Sequence, residues 1–230
     1  MQADTRAIVV MPAFNEAVNI AKTIANIASL TSLPIVVVDD ASTDATAAIA
    51  RASGARVLPL ASQLGAWGAT QTGIRYALKH GFQRTVTIDA DGQHDAAGIS
   101  ALLEYQEKEG AALVIGSCPS RGSRARRIAW MLFRVISGLP LQDLTSGFRA
   151  YSRTGMEIVA SPQASNLDYQ DIGILLLLRQ ARMKVVEKSV CMNSRPDGKS
   201  RIFNSWYSVA MYMAYSIILS LSHNGMTRRQ

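Results

Sequence analysis

Hydrophobic positions along this chain gather in short continuous runs. Ala7–Phe14, Ile35–Asp40, Ala55–Leu60, Thr85–Asp89 and Ala112–Gly116 are apolar and often β-branched, the pattern of parallel strands buried on both faces. Helical stretches lie between them, at roughly Glu16–Leu30, Thr43–Ala52, Ala66–His80 and Ala97–Gly110, with Gly54, Gly81 and Gly110 where helix C-caps fall. This alternation predicts an α/β domain, a mainly parallel sheet flanked by helices. The second half is less regular: a basic then amphipathic helix over Arg121–Leu139, a loop entering a strand over Asp143–Arg153, a helix over Asp168–Arg182, a strand over Lys184–Met192 and a loop over Asn193–Arg201.

Ligands of such sheets bind beyond the carboxyl ends of the strands, and three polar segments fall there. Asp89-Ala-Asp-Gly-Gln-His94 places two carboxylates at alternate positions after an apolar run. On an extended backbone these point the same way, and their repulsion is relieved by a hard divalent ion shared with substrate phosphates, Mg²⁺ or Mn²⁺. A strand-end turn is the plainer reading. Val37-Val-Asp-Asp-Ala-Ser-Thr-Asp44 ends in adjacent carboxylates able to accept from a nucleobase N–H or ribose hydroxyls, with Ser42 a candidate cap for the next helix. Pro12-Ala-Phe-Asn-Glu16 offers a rigid turn, an aromatic surface and an acid, with Asn15 a candidate N-cap.

Length and composition narrow the class. The 230 residues are 48% hydrophobic, enough for one sizeable core. The net charge of +7 suits anionic substrates, a membrane surface or nucleic acid, but no nucleic-acid-binding signature accompanies it. Two cysteines, Cys118 and Cys191, lie far apart without metal-site spacing, so a reducing cytoplasm is expected. Met1–Arg6 leads into a short apolar run with no long h-region or small-residue cleavage site, so no secretory signal is expected. No GxGxxG follows the first strand, which disfavours a nicotinamide dehydrogenase.

Together with Asp143-Leu-Thr-Ser-Gly-Phe-Arg149 and Arg195-Pro-Asp-Gly-Lys-Ser-Arg201, these segments make the chain from Ile8 to about Arg201 resemble the family 2 glycosyltransferases of GT-A fold. It is most similar to the dolichyl-phosphate mannose synthase and polyprenyl-phosphate glycosyltransferase group. The resemblance implies that Pro12, Ala13, Phe14, Glu16, Val38, Asp40 and Ala90 line a nucleotide-sugar site and that Asp89, Asp91 and Gln93 hold a metal and the donor diphosphate. It makes Ser146, Arg149, Arg195, Ser200 and Arg201 candidates at the donor and acceptor phosphates, with Arg149 grouped with Asp89 and Asp91 as catalytic. The chain departs from the family where an arginine commonly follows Gly116-Ser117, here Cys118, and where a lysine is common in the turn Gly65-Ala-Trp-Gly68. Trp67 is expected to pack a helix rather than stack on a base.

The reaction implied is inverting transfer from a UDP- or GDP-sugar to a polyprenyl phosphate. Such an acceptor is already anionic and needs cationic residues to orient it rather than a general base. Arg121, Arg124, Arg126, Arg127 and Arg134 form a basic segment, and Arg127 is the choice for an acceptor-phosphate contact. A hydroxyl acceptor would need a base, for which Asp168 and Asp171 are candidates. His94 is expected to support the metal loop. A non-catalytic nucleotide-sugar-binding protein is the alternative of another class.

Residues 1–201 are expected to form the catalytic domain and 202–230 a tail. The uncharged stretch Ile202–Ser222 sets Asn204, Ser208, Ser216 and Ser220 opposite Phe203, Trp206, Val209, Met213 and Ile217. It is expected to lie in a membrane interface, with a packed helix and a short span as alternatives, or to form a homodimer through its apolar face. The resulting location is cytoplasmic, peripheral on the cytoplasmic face of the membrane.

Overall fold

A computed structural model describes residues 6–118, 141–143, 146–165 and 170–192 of the chain. The basic segment with Arg127, the loop with Arg195, Ser200 and Arg201, Asp168, the side chain of Asp171 and the tail from Ile202 lie outside the described residues.

The elements run β1 (Ala7–Ala13), α1 (Ile20–Leu30), β2 (Ile35–Asp39), α2 (Thr46–Ala52), β3 (Arg56–Pro59), α3 (Gly65–Lys79), β4 (Arg84–Thr87), α4 (Gly98–Glu109), β5 (Leu113–Ser117), β6 (Arg149–Ser152), α5 (Arg153–Val159), α6 (Pro162–Ser165), α7 (Gln170–Gln180) and β7 (Val185–Ser189). They build a seven-stranded sheet of order β3-β2-β1-β4-β6-β5-β7. Every pairing is parallel except those of β6, which runs antiparallel to β4 and β5. The expected mainly parallel α/β sheet is therefore present, with one reversed strand inserted.

Successive residues of the continuous apolar runs feed opposite faces. Ile8, Val10, Val36 and Val38 pack with α3, α5 and α7, while Val9, Met11 and Val37 pack with Ile20, Ile24 and Ile27 of α1 and Ile99 and Leu102 of α4. Each such fully buried side chain contributes about 1.5–3 kcal/mol. Pro59 is tolerated because β3 is an edge strand. Helices α2, α3 and α4 end beside Gly54, Gly81 and Gly110 in positive φ, as their sequence positions predict. Phe148, fully buried, occupies space that only glycines leave open. A Cβ on Gly98 or on Gly116 would lie 2.7 Å from its ring.

Two helices start later than their patterning predicts. α1 begins at Ile20 rather than Glu16, and α2 at Thr46 rather than Thr43. The residues between are taken up by cross-links between the loops after β1 and β2.

Candidate active site

Asn15 sits at a φ of 53°, a region its short polar side chain tolerates. Its amide donates to Ser42 Oγ at 3.0 Å, and its Oδ1 accepts from the Thr43 amide at 2.9 Å. The Glu16 amide donates to Thr46 Oγ1 at 2.8 Å and the Ala17 amide to Asp44 Oδ2 at 3.2 Å. Asn15 and Ser42 are thus not helix caps but parts of a brace that locks Pro12–Glu16 to Asp39–Asp44. Asp44 accepts from the Thr46 amide and hydroxyl. The Thr46 hydroxyl is the chief cause holding the Asp44 carboxyl below its ordinary value.

The adjacent carboxylates at the end of β2 have different surroundings. Asp40 accepts from the Leu64 and Gly65 amides at the start of α3, at 2.6 and 2.9 Å. Its remaining lone pairs stay available to a ligand. Asp39 is buried and its Oδ1 has no hydrogen-bond partner, an orphan acceptor of the kind that calls for a ligand. The adjacency of the two carboxylates left both open, and the family resemblance points to Asp40 alone. Ala13, Val38 and Ala90 are buried, so what they offer a nucleotide is backbone and shape. Pro12 and Phe14 are half-buried.

β4 ends at Thr87, two residues short of the strand expected. Asp89 and Asp91 therefore do not alternate along an extended strand. Asp89 precedes a turn at Ala90 and Asp91, after which Gly92 has a φ of 72° and the Gln93 amide donates back to Asp91 Oδ1 at 3.1 Å. From α1, Thr23 Oγ1 donates to the Ala90 carbonyl at 3.1 Å and steadies the turn.

β6 closes the other side. Its antiparallel register sets Arg149 opposite Thr87 of β4 and Ile115 of β5. This brings the start of β6 to the edge where the parallel strands end. Thr87 Oγ1 donates to the Gly147 carbonyl at 2.7 Å, and a Cβ on Gly147 would lie 2.6 Å from Asp89 Oδ1. Arg149 is buried and donates through Nε to the Ser146 carbonyl at 2.8 Å. Ser146 Oγ accepts from the Phe148 amide at 3.3 Å, so its hydroxyl serves its own turn. Pro12, Ala66, Thr70, Thr87, Asp89, Gly147, Arg149 and Tyr151 line one small cleft.

Among the described residues no three His, Cys, Asp or Glu side chains group to hold a metal ion. Asp89, Asp91 and Gln93 nevertheless fit Mg²⁺ or Mn²⁺, ions that take a few hard protein oxygens and complete their shell with water and phosphate. Trp67 packs as expected: it is 7% exposed, and its indole N–H donates to the Ala164 carbonyl at 2.8 Å. Cys118, where an arginine is common, donates its amide to Asp143 Oδ2 at 3.3 Å. Among the described residues no helix is long and apolar enough to cross a membrane.

The chain is 28% identical over 225 residues to the polyprenol monophosphomannose synthase of Mycolicibacterium smegmatis, covering 90% of this chain and 84% of that one. It is 28% identical over 215 residues to the undecaprenyl-phosphate mannosyltransferase of Micrococcus luteus, covering 86% and 87%. Its fold matches the glucosyl-3-phosphoglycerate synthase of Mycobacterium tuberculosis, solved with Mn²⁺, uridine diphosphate and glucosyl-3-phosphoglycerate. The TM-score is 0.69 and the identity 25%, over 97% of this chain and 81% of that one. Residues 8–159 match the model of glycosyl transferase family 2. With that match spanning the braced loops, the acidic turn and β6, the chain belongs to glycosyl transferase family 2 and is a glycosyltransferase of GT-A fold.

Proposed function

We propose that this enzyme moves a sugar, with inversion, from a nucleotide-diphosphate sugar to a polyprenyl phosphate, using Mg²⁺ or Mn²⁺. The observation that carries the donor half is the meeting of the Asp89–Asp91 turn with the start of β6 at the sheet edge, beside the braced loops. What supports the acceptor half is the similarity to relatives named for polyprenyl-phosphate chemistry, over most of their length.

In this reading Pro12, Phe14, Glu16, Asp39 and Asp40 hold the nucleoside, with the base seated on backbone from Ala13, Val38 and Ala90. Asp89, Asp91 and Gln93 would hold the metal, which when bound would supply positive charge at the leaving diphosphate. Arg149 adds a positive charge at the same cleft. Arg127, Arg195, Ser200 and Arg201 orient the acceptor phosphate, whose anionic oxygen attacks without a general base. Residues 1–201 form the catalytic unit, and the tail 202–230 rests on the cytoplasmic face of the membrane where such a lipid is found.

Purified protein incubated with UDP- and GDP-sugars, Mg²⁺ or Mn²⁺, and undecaprenyl phosphate should give one metal-dependent glycosyl-phospholipid by mass spectrometry. A second reading, transfer to a hydroxyl acceptor, draws on the matched structure holding glucosyl-3-phosphoglycerate. Product formed on phosphoglyceric acid and none on the lipid would favour it. Nucleotide-sugar binding with no turnover on either would make the protein a binder.

A further inference from the structure

His94 closes the acidic turn, and its surroundings are unusual for an imidazole. The residue is 3% exposed, and neither ring nitrogen has a hydrogen-bond partner. Its backbone is pinned by an antiparallel bridge to Met192. Its ring packs on Phe148, with centroids 5.0 Å apart and planes inclined by 40°. Its Nε2 stands 3.4 Å from Asp89 Oδ2.

A neutral imidazole carries one N–H, and leaving it unmatched in the interior costs about 1–3 kcal/mol. The carboxylate oxygen of Asp89 is the acceptor the geometry offers. At 3.4 Å the contact is longer than a formed hydrogen bond. Asp89 is restricted on two sides, by the Gly147 backbone and by His94, while 46% of its side chain remains exposed. A carboxylate so flanked has its orientation set by neighbours that touch no substrate themselves.

We infer that His94 is a positioning residue: its Nε2–H aims the Asp89 carboxylate at the divalent ion and sets how tightly the chain holds it. This rests on the metal reading above. Partners of this kind behind metal-ligating carboxylates are worth about 10–100-fold in metal affinity.

The test compares two amides of different reach in the full-length chain. A glutamine amide extends to where Nε2 stands; an asparagine amide falls short of it. Mn²⁺ uptake is followed by loss of the free-ion electron paramagnetic resonance signal with UDP present, and UDP affinity in EDTA serves as a control. His94→Asn should weaken Mn²⁺ by about 10–100-fold and His94→Gln by no more than about 3-fold, with UDP affinity in EDTA unchanged in both. Wild-type Mn²⁺ affinity in His94→Asn overturns the inference, as do equal losses in the two variants, since packing on Phe148 would then explain both. A wild-type chain that takes up no Mn²⁺ with UDP overturns the metal reading, and this inference with it.

Discussion

Gly147→Ala isolates the contact between β6 and the acidic turn. The new Cβ would meet Asp89 Oδ1 at 2.6 Å and Oδ2 at 2.9 Å. Moving Oδ1 out from 2.6 Å to the 3.4 Å of an ordinary contact requires a shift of about 0.8 Å. The side chain of Asp89 is 46% exposed, so the displaced carboxylate moves toward solvent rather than into the core. The fold should therefore survive, with a change in stability within about 1 kcal/mol. Catalysis should not survive intact. A displacement of about 1 Å at a positioned group costs on the order of 100-fold in rate, about 2.7 kcal/mol of transition-state stabilisation. Thermal melting and kcat/KM for the transfer, measured on one preparation, check both halves. A folded Gly147→Ala protein with wild-type kcat/KM would refute the placement of Asp89 at the reacting diphosphate. Loss of folding would refute the claim that the carboxylate can yield.

Asp91→Asn should abolish metal-dependent transfer while melting within a few degrees of wild type; a folded, fully active variant would remove Asp91 from the metal site. Trp67→Phe deletes the indole N–H to the Ala164 carbonyl and should cost about 1–3 kcal/mol of stability by denaturant titration, while the donor KM stays unchanged; a raised KM with unaltered stability would mean Trp67 meets the nucleotide. The folded-state pKa of Asp44 is depressed, chiefly by the Thr46 hydroxyl. Its stabilising effect is therefore full above the ordinary value of 3.8 and lost as pH falls through the lower folded value. Asp44→Asn should flatten that part of the acid-unfolding curve, and an unaltered curve would show that the brace does not depend on this charge. Arg127→Ala should raise the acceptor KM more than it changes nucleotide affinity, read from steady-state kinetics on the two substrates; equal KM values would free Arg127 from the acceptor site.

The strands were legible because a parallel sheet buried on both faces leaves continuous apolar runs, and the polar segments at their ends stand out against them. What stayed hidden depends on contacts between distant residues. The bonds from Asn15 to Ser42 and from Glu16 to Thr46 span 27 and 30 positions. No local periodicity reports them, so both following helices were placed early. The adjacency of Asp39 and Asp40 pointed to a nucleotide carboxylate but could not separate them, because only the approach of α3 to Asp40 does so. The reversed direction of β6 left no mark in its composition. The segment 149–152, Arg-Ala-Tyr-Ser, is as short and as mixed as Arg-Thr-Val-Thr of β4, which runs the other way. His94 was seen as support for the turn, yet its orphaned nitrogens follow only from the packing of Phe148 and the nearness of Asp89.

The reversal of β6 also fixes where the chain that joins it to β5 begins and ends. β5 ends and β6 begins at the same edge of the sheet, so the chain from 118 to 148 leaves the acidic turn and returns to it. Both feet of that excursion stand on the core, Ser117 paired with Ser189 at the end of β5 and Phe148 fully buried just before β6. An arc exchanged between relatives would therefore rejoin the sheet at the same two points, with β5 and β6 keeping their register beside the acidic turn.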